Sequence, residues 1–414
     1  MTFTGKIFIS TMLVSVVVSI VNYFVDPYRL YGEDKIGSMS KLKPHLDKKL
    51  VLSKLKNSID ESYDTVLIGT SRVEVGLDPK DKAFANRSVY NFGIPGASLG
   101  QEVKLLGHIA SRQDLDLVLV QMDFGQFNRN GRPGGVIDPE YITYFESDIL
   151  ESTLIWLKLT VSDLASTHSL RDSIETLGSQ NGNSMEFDRK RNGHRFVGGT
   201  FGKDVREQGN RNNFKVSESM YATVIYDRND VYQFKLSEMT DSSGAYKDLG
   251  EIIDLSLRYD FDLVFFLGPS HARQWQLVKE LNLWCDFMKW KRDLVYFFDD
   301  LYKTRGVNYP LWDFAHTNAI TSESLPQTDN ERMKYYMESS HYLPSLGSVV
   351  LSSLMGDGPS EIGYLLTSEN VAGALKDQTN MQILYEGAFL EDVSMVRESA
   401  SRSTEELHRK CEMG

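Results

Sequence analysis

Five short apolar runs punctuate the chain: TVLIG (65–69), SVYNF (88–92), LDLVLVQM (115–122), FDLVFFL (261–267) and DLVYFF (293–298). Their apolar residues are nearly continuous rather than alternating, as expected of strands buried on both faces. Between the second and third runs, EVKLLGHIAS (102–111) repeats its apolar positions at helical spacing, and LGEIIDLSLRY (249–259) does the same before the fourth. Strands alternating with helices predict βαβ units and an α/β fold, with a parallel sheet covered on both faces.

Two stretches break this rhythm. Residues 129–243 begin with GRPGG (131–135) and include a helical piece over 154–177, with polar, glycine-rich loops GSQNGNS (178–184) and FVGGTFGK (196–203). They read as an insertion beside the sheet, either a lid or substrate wall or a structural excursion with no ligand contact. At the N-terminus, IFISTMLVSVVVSIVNYFV (7–25) is 19 residues without a charge, close to the ~20 needed to cross a bilayer as a helix. Asp26-Pro27 stops it, because proline cannot continue the hydrogen-bond ladder. Tyr23 and Tyr28 suit a membrane interface.

A cleaved signal peptide and a buried soluble helix are the competing readings of that run. The length of the stretch and the missing A-x-A-like site favour an uncleaved anchor. Charge gives little orientation: Lys6 lies on one side, Arg29 and Lys35 on the other, and the lysines between 41 and 56 mildly favour a cytoplasmic body. The expected organisation is a transmembrane anchor (1–25), a polar and partly helical linker (26–60), an α/β domain (61–356) and a helical tail (357–414).

Composition narrows the function classes. The 414 residues carry a formal net charge of −12, so no basic surplus exists to neutralise the phosphates of a nucleic acid. Two cysteines occur, Cys285 and Cys411; they could pair in an oxidising compartment, but they make no disulfide framework. No CxxC or Cys/His cluster points to zinc, and neither a metal nor a cofactor is expected. No Walker loop follows any strand, and the glycines lack dinucleotide-binding spacing.

Three segments carry candidate chemistry. TVLIG runs directly into Thr70-Ser71-Arg72, where loops leave the carboxyl ends of parallel strands and ligands bind. A serine there is a candidate nucleophile beside backbone N–H groups, or simply a helix N-cap. Asn91-Phe92-Gly93-Ile94-Pro95-Gly96 follows the second strand; its glycines permit close backbone approach, or merely form a tight turn. Glu338-Ser339-Ser340-His341-Tyr342 comes late, followed by Pro344 and Gly347. A carboxylate three residues before a histidine can orient the imidazole, leaving the other ring nitrogen to take a proton from a hydroxyl. A capping glutamate and a surface histidine are the bland alternative.

Taken in order, Gly69-Thr70-Ser71-Arg72, Asn91–Gly96 and Glu338–His341 resemble the motif blocks of the SGNH/GDSL hydrolase superfamily over roughly 60–130 and 245–355. The resemblance implies a flavodoxin-like three-layer fold, Ser71 as nucleophile, His341 as general base and Glu338 as the orienting acid, where the family more often has aspartate. It implies an oxyanion hole from the N–H groups of Ser71 and Gly96. The usual third block, Gly-x-Asn-Asp, is replaced by Met122-Asp123-Phe124-Gly125-Gln126-Phe127-Asn128, leaving Asn128 or Gln126 as substitute donors. Arg72, Asn91, Asp123, Asn128 and His271 are further candidate substrate contacts, as are Asp313 and His316; Asp123 reads also as a structural residue and His271 as a helix-start histidine.

The layout is most similar to the membrane-anchored envelope branch, which includes accessory proteins of alginate acetylation and the D-alanyl transfer protein of teichoic acids. That implies an inner-membrane protein with a periplasmic body, a glycan substrate and a polytopic membrane acyltransferase as partner. The expected activity is a serine esterase or O-acyltransferase on exported polysaccharide. The alternative is a non-catalytic component of an envelope assembly machine that keeps the fold.

Overall fold

The first helix, α1 (Phe3–Val25), is followed by α2 (Leu50–Asp60), β1 (Thr65–Gly69), α3 (Ser71–Gly76), β2 (Val89–Gly93), α4 (Leu99–Ala110) and β3 (Leu117–Met122). Next come α5 (Ile149–Leu164), α6 (Thr167–Gly178), α7 (Lys203–Met220), a π turn (Tyr221–Tyr226) and α8 (Ala245–Tyr259). The chain then forms β4 (Asp262–Leu267), α9 (Ala272–Glu280), α10 (Trp284–Arg305), β5 (Leu311–Asp313), α11 (Pro344–Leu354), β6 (Tyr364–Leu365), α12 (Val371–Ala388) and α13 (Leu390–Ala400). This computed structural model describes residues 2–32, 35–130, 149–181, 192–195, 197, 203–226, 234–241, 244–328, 330–356 and 362–401.

The six strands make one sheet in the order β2-β1-β3-β4-β5-β6, parallel except for β6. Successive residues of a strand point to opposite faces, and both faces are buried. Val66, Ile68, Val118, Val120 and Phe265 enter a core with α4 and α8; Leu67, Leu119 and Phe266 enter a second with α3 and α11. The continuous apolar runs of β1, β3 and β4 follow from this double burial.

Several expectations need correcting. DLVYFF is not a strand: it lies inside α10. Phe287, Trp290, Leu294, Phe298 and Leu301 are buried at intervals of three or four, so the six-residue run is one stretch of an amphipathic helix. The fifth strand is the three-residue LWD of β5. Residues 26–60 are not a solvated linker, since Val51 and Leu55 belong to the main core and Tyr28, Leu30 and Leu52 form a small one of their own. The helical piece over 154–177 is two helices, separated where Ser166 caps the start of α6. Residues after 356 are no appendage, for β6 extends the sheet and Leu375 and Val396 enter the main core. Parts of the expected insertion lie outside the described residues, including 131–148, 182–191 and most of 196–203, as does Cys411, on which any pairing with Cys285 depends.

α1 is the one described helix long and apolar enough to cross a membrane, 23 residues with mean hydropathy 2.1. It ends where Asp26 turns left-handed (φ 46°) and its carboxylate accepts the N–H groups of Leu30 and Tyr31 at 2.7 and 2.8 Å.

Candidate active site

Ser71 opens α3 immediately beyond the carboxyl end of β1, where the neighbouring strands β2 and β3 diverge in connectivity. Thr70 caps the helix, accepting the Arg72 N–H and donating its hydroxyl to Asp123 Oδ2 at 2.6 Å. The loop after β2 is drawn against the same point, with the Ile94 N–H donating to Gly69 O at 2.9 Å. A side chain at Gly93 is sterically barred, because its Cβ would lie 2.3 Å from the Glu74 backbone nitrogen. Gly96 is exposed in that loop with φ 67°, a left-handed conformation that glycine adopts without strain.

His341 approaches from the segment before α11. Its Nε2 lies 2.7 Å from Ser71 Oγ, and its Nδ1 contacts Glu338 Oε1. A carboxylate on the Nδ1 side holds the proton there, so Nε2 is the acceptor for the serine hydroxyl. Glu338 also accepts the His341 N–H at 2.7 Å and the Ser340 N–H at 2.9 Å. Burial alone would raise its pKa, but the imidazole, the Ser217 hydroxyl and the Ser340 N–H outweigh burial and hold the carboxyl at about 2. Three segments far apart in sequence therefore converge on one hydrogen-bonded Ser71–His341–Glu338 series.

A second tier of side chains fixes this series, and sequence reasoning missed it. Ser217, near the end of α7, donates to Glu338 Oε2. Tyr221, one helical turn on, bonds Ser340 Oγ. Arg72 donates from Nε to that same Ser340 oxygen at 2.9 Å and from Nη1 to Asp123 Oδ1 at 2.9 Å. Gln121 donates to Asp123 at 2.9 Å and accepts the Tyr342 hydroxyl at 2.6 Å. Asn210 and Asn213 of α7 each donate to Met337 O at 3.1 Å. α7 is itself held by a buried pair in which Arg273 grips both oxygens of Glu218 at 2.7 and 2.8 Å. The four-residue spacing of Ser217 and Tyr221 is compatible with one helix face, but nothing in the sequence connects that face to Glu338.

The expected substrate contacts take other positions. Asn91 is buried and fully engaged, donating to Val73 O at 2.7 Å and Leu77 O at 2.8 Å while accepting the Gly93 N–H. It clamps the helix that Ser71 begins. Arg72 and Asp123 form a buried ion pair beneath the site instead of lining it. Asn128 accepts the Lys235 and Asn130 N–H groups in a surface bridge. His271 is fully buried, caps α9 through Nδ1 and bonds Glu323 O through Nε2; burial pushes its pKa down to about 3. Gln126 spends its amide hydrogens on Ala97 O and Glu102, so it is committed as a donor elsewhere. Asp313 is buried against Lys291 at 2.8 Å and the Tyr364 hydroxyl, and His316 packs on the Tyr364 ring.

Among the described residues, His45, Asp172 and Glu175 stand close enough to share a metal ion. Asp172, however, is already held by Lys48 and the Tyr28 hydroxyl. Compared with known proteins, the chain matches no family model and no curated protein.

Proposed function

We propose that the chain is a membrane-anchored serine esterase or O-acyltransferase of the SGNH/GDSL type, acting on cell-envelope or exported polysaccharide from the periplasmic side of the inner membrane. The observation that carries this reading is the Ser71–His341–Glu338 series, with the hydroxyl 2.7 Å from an imidazole whose other nitrogen faces a buried carboxylate. The sheet order 2-1-3-4-5 agrees with a flavodoxin-like frame, whose ligand site lies at the switch point beside the central strand.

In the reaction, His341 Nε2 removes the Ser71 proton as Oγ attacks the acyl carbonyl carbon. The tetrahedral oxyanion rests against the N–H groups of Ser71 and Gly96. Collapse breaks the bond to the leaving alcohol, which takes the proton from His341 and leaves a serine ester. A sugar hydroxyl or water, deprotonated by the same imidazole, then attacks that ester and regenerates Ser71. Glu338 stabilises the imidazolium in both halves. A polytopic membrane acyltransferase would fit as the source of the acyl group.

The test is acetyl-ester hydrolysis, and acetyl transfer to a glycan, by the full chain and its Ser71→Ala variant. Activity confined to the wild type supports the reading; equal activity in both removes Ser71 from the mechanism. One observation favours the non-catalytic alternative: the Gln126 amide, one of the two substitutes for the block-three asparagine, donates to Ala97 O and Glu102 instead of facing the oxyanion. A folded wild type lacking both activities would favour it.

A further inference from the structure

α5 presents two apolar faces where a surface helix ordinarily presents one. Trp156 and Leu159 pack inward on Tyr28, Leu30 and Leu52. On the opposite side Leu150, Leu154, Leu157 and Val161 are 72, 59, 57 and 58% exposed. Their spacing of four, three and four residues aligns them in a single stripe. An aliphatic stripe of this length left in water is uncommon on a soluble surface and marks an interaction site.

The position of α5 identifies the partner. Its C-terminal end is bonded to the end of α1: Asn22, buried there, donates to Leu164 O at 2.9 Å and Ser166 O at 3.1 Å. Asn22 Oδ1 accepts the Ser173 hydroxyl from α6 at 2.9 Å. The stripe is thus anchored to the one described helix able to span a bilayer. Sixteen residues make a helix of about 24 Å, too short to cross a hydrocarbon core of about 30 Å. The stripe contains only leucine and valine, without the tryptophan, tyrosine or arginine that dominate protein–protein hot spots. Lys158 and Glu151, both exposed, flank it as the polar border of an interfacial helix.

We propose that α5 is a second membrane-contacting element, lying against the bilayer that α1 crosses, with Leu150, Leu154, Leu157 and Val161 among the acyl chains. The inference rests on the reading of α1 as an anchor. It gives the catalytic body a two-point attachment, so that the domain is held to the membrane surface instead of swinging on one helix.

Photo-crosslinking of the full chain in its native membrane tests this. Leu157→p-benzoylphenylalanine probes the stripe, Val16→p-benzoylphenylalanine probes α1, and Lys303→p-benzoylphenylalanine on α10 is the aqueous control. The expected result is lipid adducts at positions 157 and 16 and none at 303. Lipid capture at 16 with none at 157, or capture at 157 of a second copy or of another protein, overturns the inference and leaves the anchor standing. Absence of lipid adducts at both positions overturns the anchor and the inference together.

Discussion

Ser217 and His341 hold opposite oxygens of the Glu338 carboxylate, Ser217 on Oε2 and the imidazole on Oε1. One partner comes from the mid-chain insertion and the other from the last block of the α/β domain. The insertion, expected either as a lid or substrate wall or as a structural excursion without ligand contact, supplies a brace for the acid that orients the candidate base.

Removing that brace has a defined consequence. A hydrogen bond to a charged group contributes about 1.5–3 kcal/mol, so Ser217→Ala should slow reaction at Ser71 on the order of ten-fold or more. Ser217→Thr keeps the hydroxyl and should retain the wild-type rate. Turnover of an activated ester by both variants checks this; an unchanged rate in Ser217→Ala would contradict the role.

The Arg72–Asp123 pair is buried beneath the site, and breaking one side leaves a charge without its partner. Asp123→Ala should destabilise the fold by about 3–5 kcal/mol. Arg72→Met combined with Asp123→Leu, which removes both charges, should lose much less. Urea unfolding of the three proteins decides it; equal losses would mean that packing, not the unpaired charge, dominates.

Gly347 brings α11 onto the end of α3. An added Cβ would lie 1.8 Å from the Gly76 carbonyl oxygen, backbone against backbone. Gly347→Ala should therefore cost about 1–3 kcal/mol or more and slow reaction at Ser71, since His341 precedes α11 and Ser71 begins α3. Gly373 in α12 has open space around it, and Gly373→Ala should be neutral or stabilise by up to about 1 kcal/mol. Unfolding midpoints that fail to separate the two variants would refute the contact.

The positions of the four long strands were legible because burial on both faces makes their runs continuously apolar. Ser71 and His341 were singled out by the order of their motif blocks along the chain, since each local pattern alone reads equally well as a helix cap. α10 was not, since the six residues of DLVYFF carry no period of their own; the helix emerges only when Phe287, Trp290 and Leu301 are counted with them. His271 takes the helix-start position that its place before Ala272 suggests, whereas Asn91 looks like a ligand contact in sequence, yet its partners Val73 O and Leu77 O are backbone atoms that no residue pattern encodes. The linker reading of 26–60 failed for a related reason. The stretch reads as polar, but Lys54 is buried, donating to Gly93 O and pairing with Glu74 at 3.1 Å.

Two buried histidines should weaken the fold in acid, against buried carboxyls such as Glu102, whose pKa burial raises and which act with the opposite sign. Burial pushes the imidazoles of His108 and His271 down to about 3 from an ordinary value of 6.5. Both stay neutral in the fold while the unfolded chain takes up protons below 6.5, so their contribution is fully present above that pH and is lost as pH falls toward 3. Each should remove about 1.4 kcal/mol of stability per pH unit across that window. Urea midpoints measured downward from about pH 7 should show the slope, and His271→Asn should lessen it. A His271→Asn profile parallel to the wild type between pH 6.5 and 4 would contradict the burial of this ring in neutral form.

The proposed chemistry requires a Ser71 hydroxyl activated by His341. Intact-protein mass spectrometry of the purified full chain after exposure to a fluorophosphonate reads that activation without any knowledge of the natural substrate. A single phosphonyl adduct on Ser71, absent in Ser71→Ala and strongly slowed in His341→Ala, is the expected outcome. A folded wild type that remains unlabelled, or an adduct forming equally fast in His341→Ala, would contradict it.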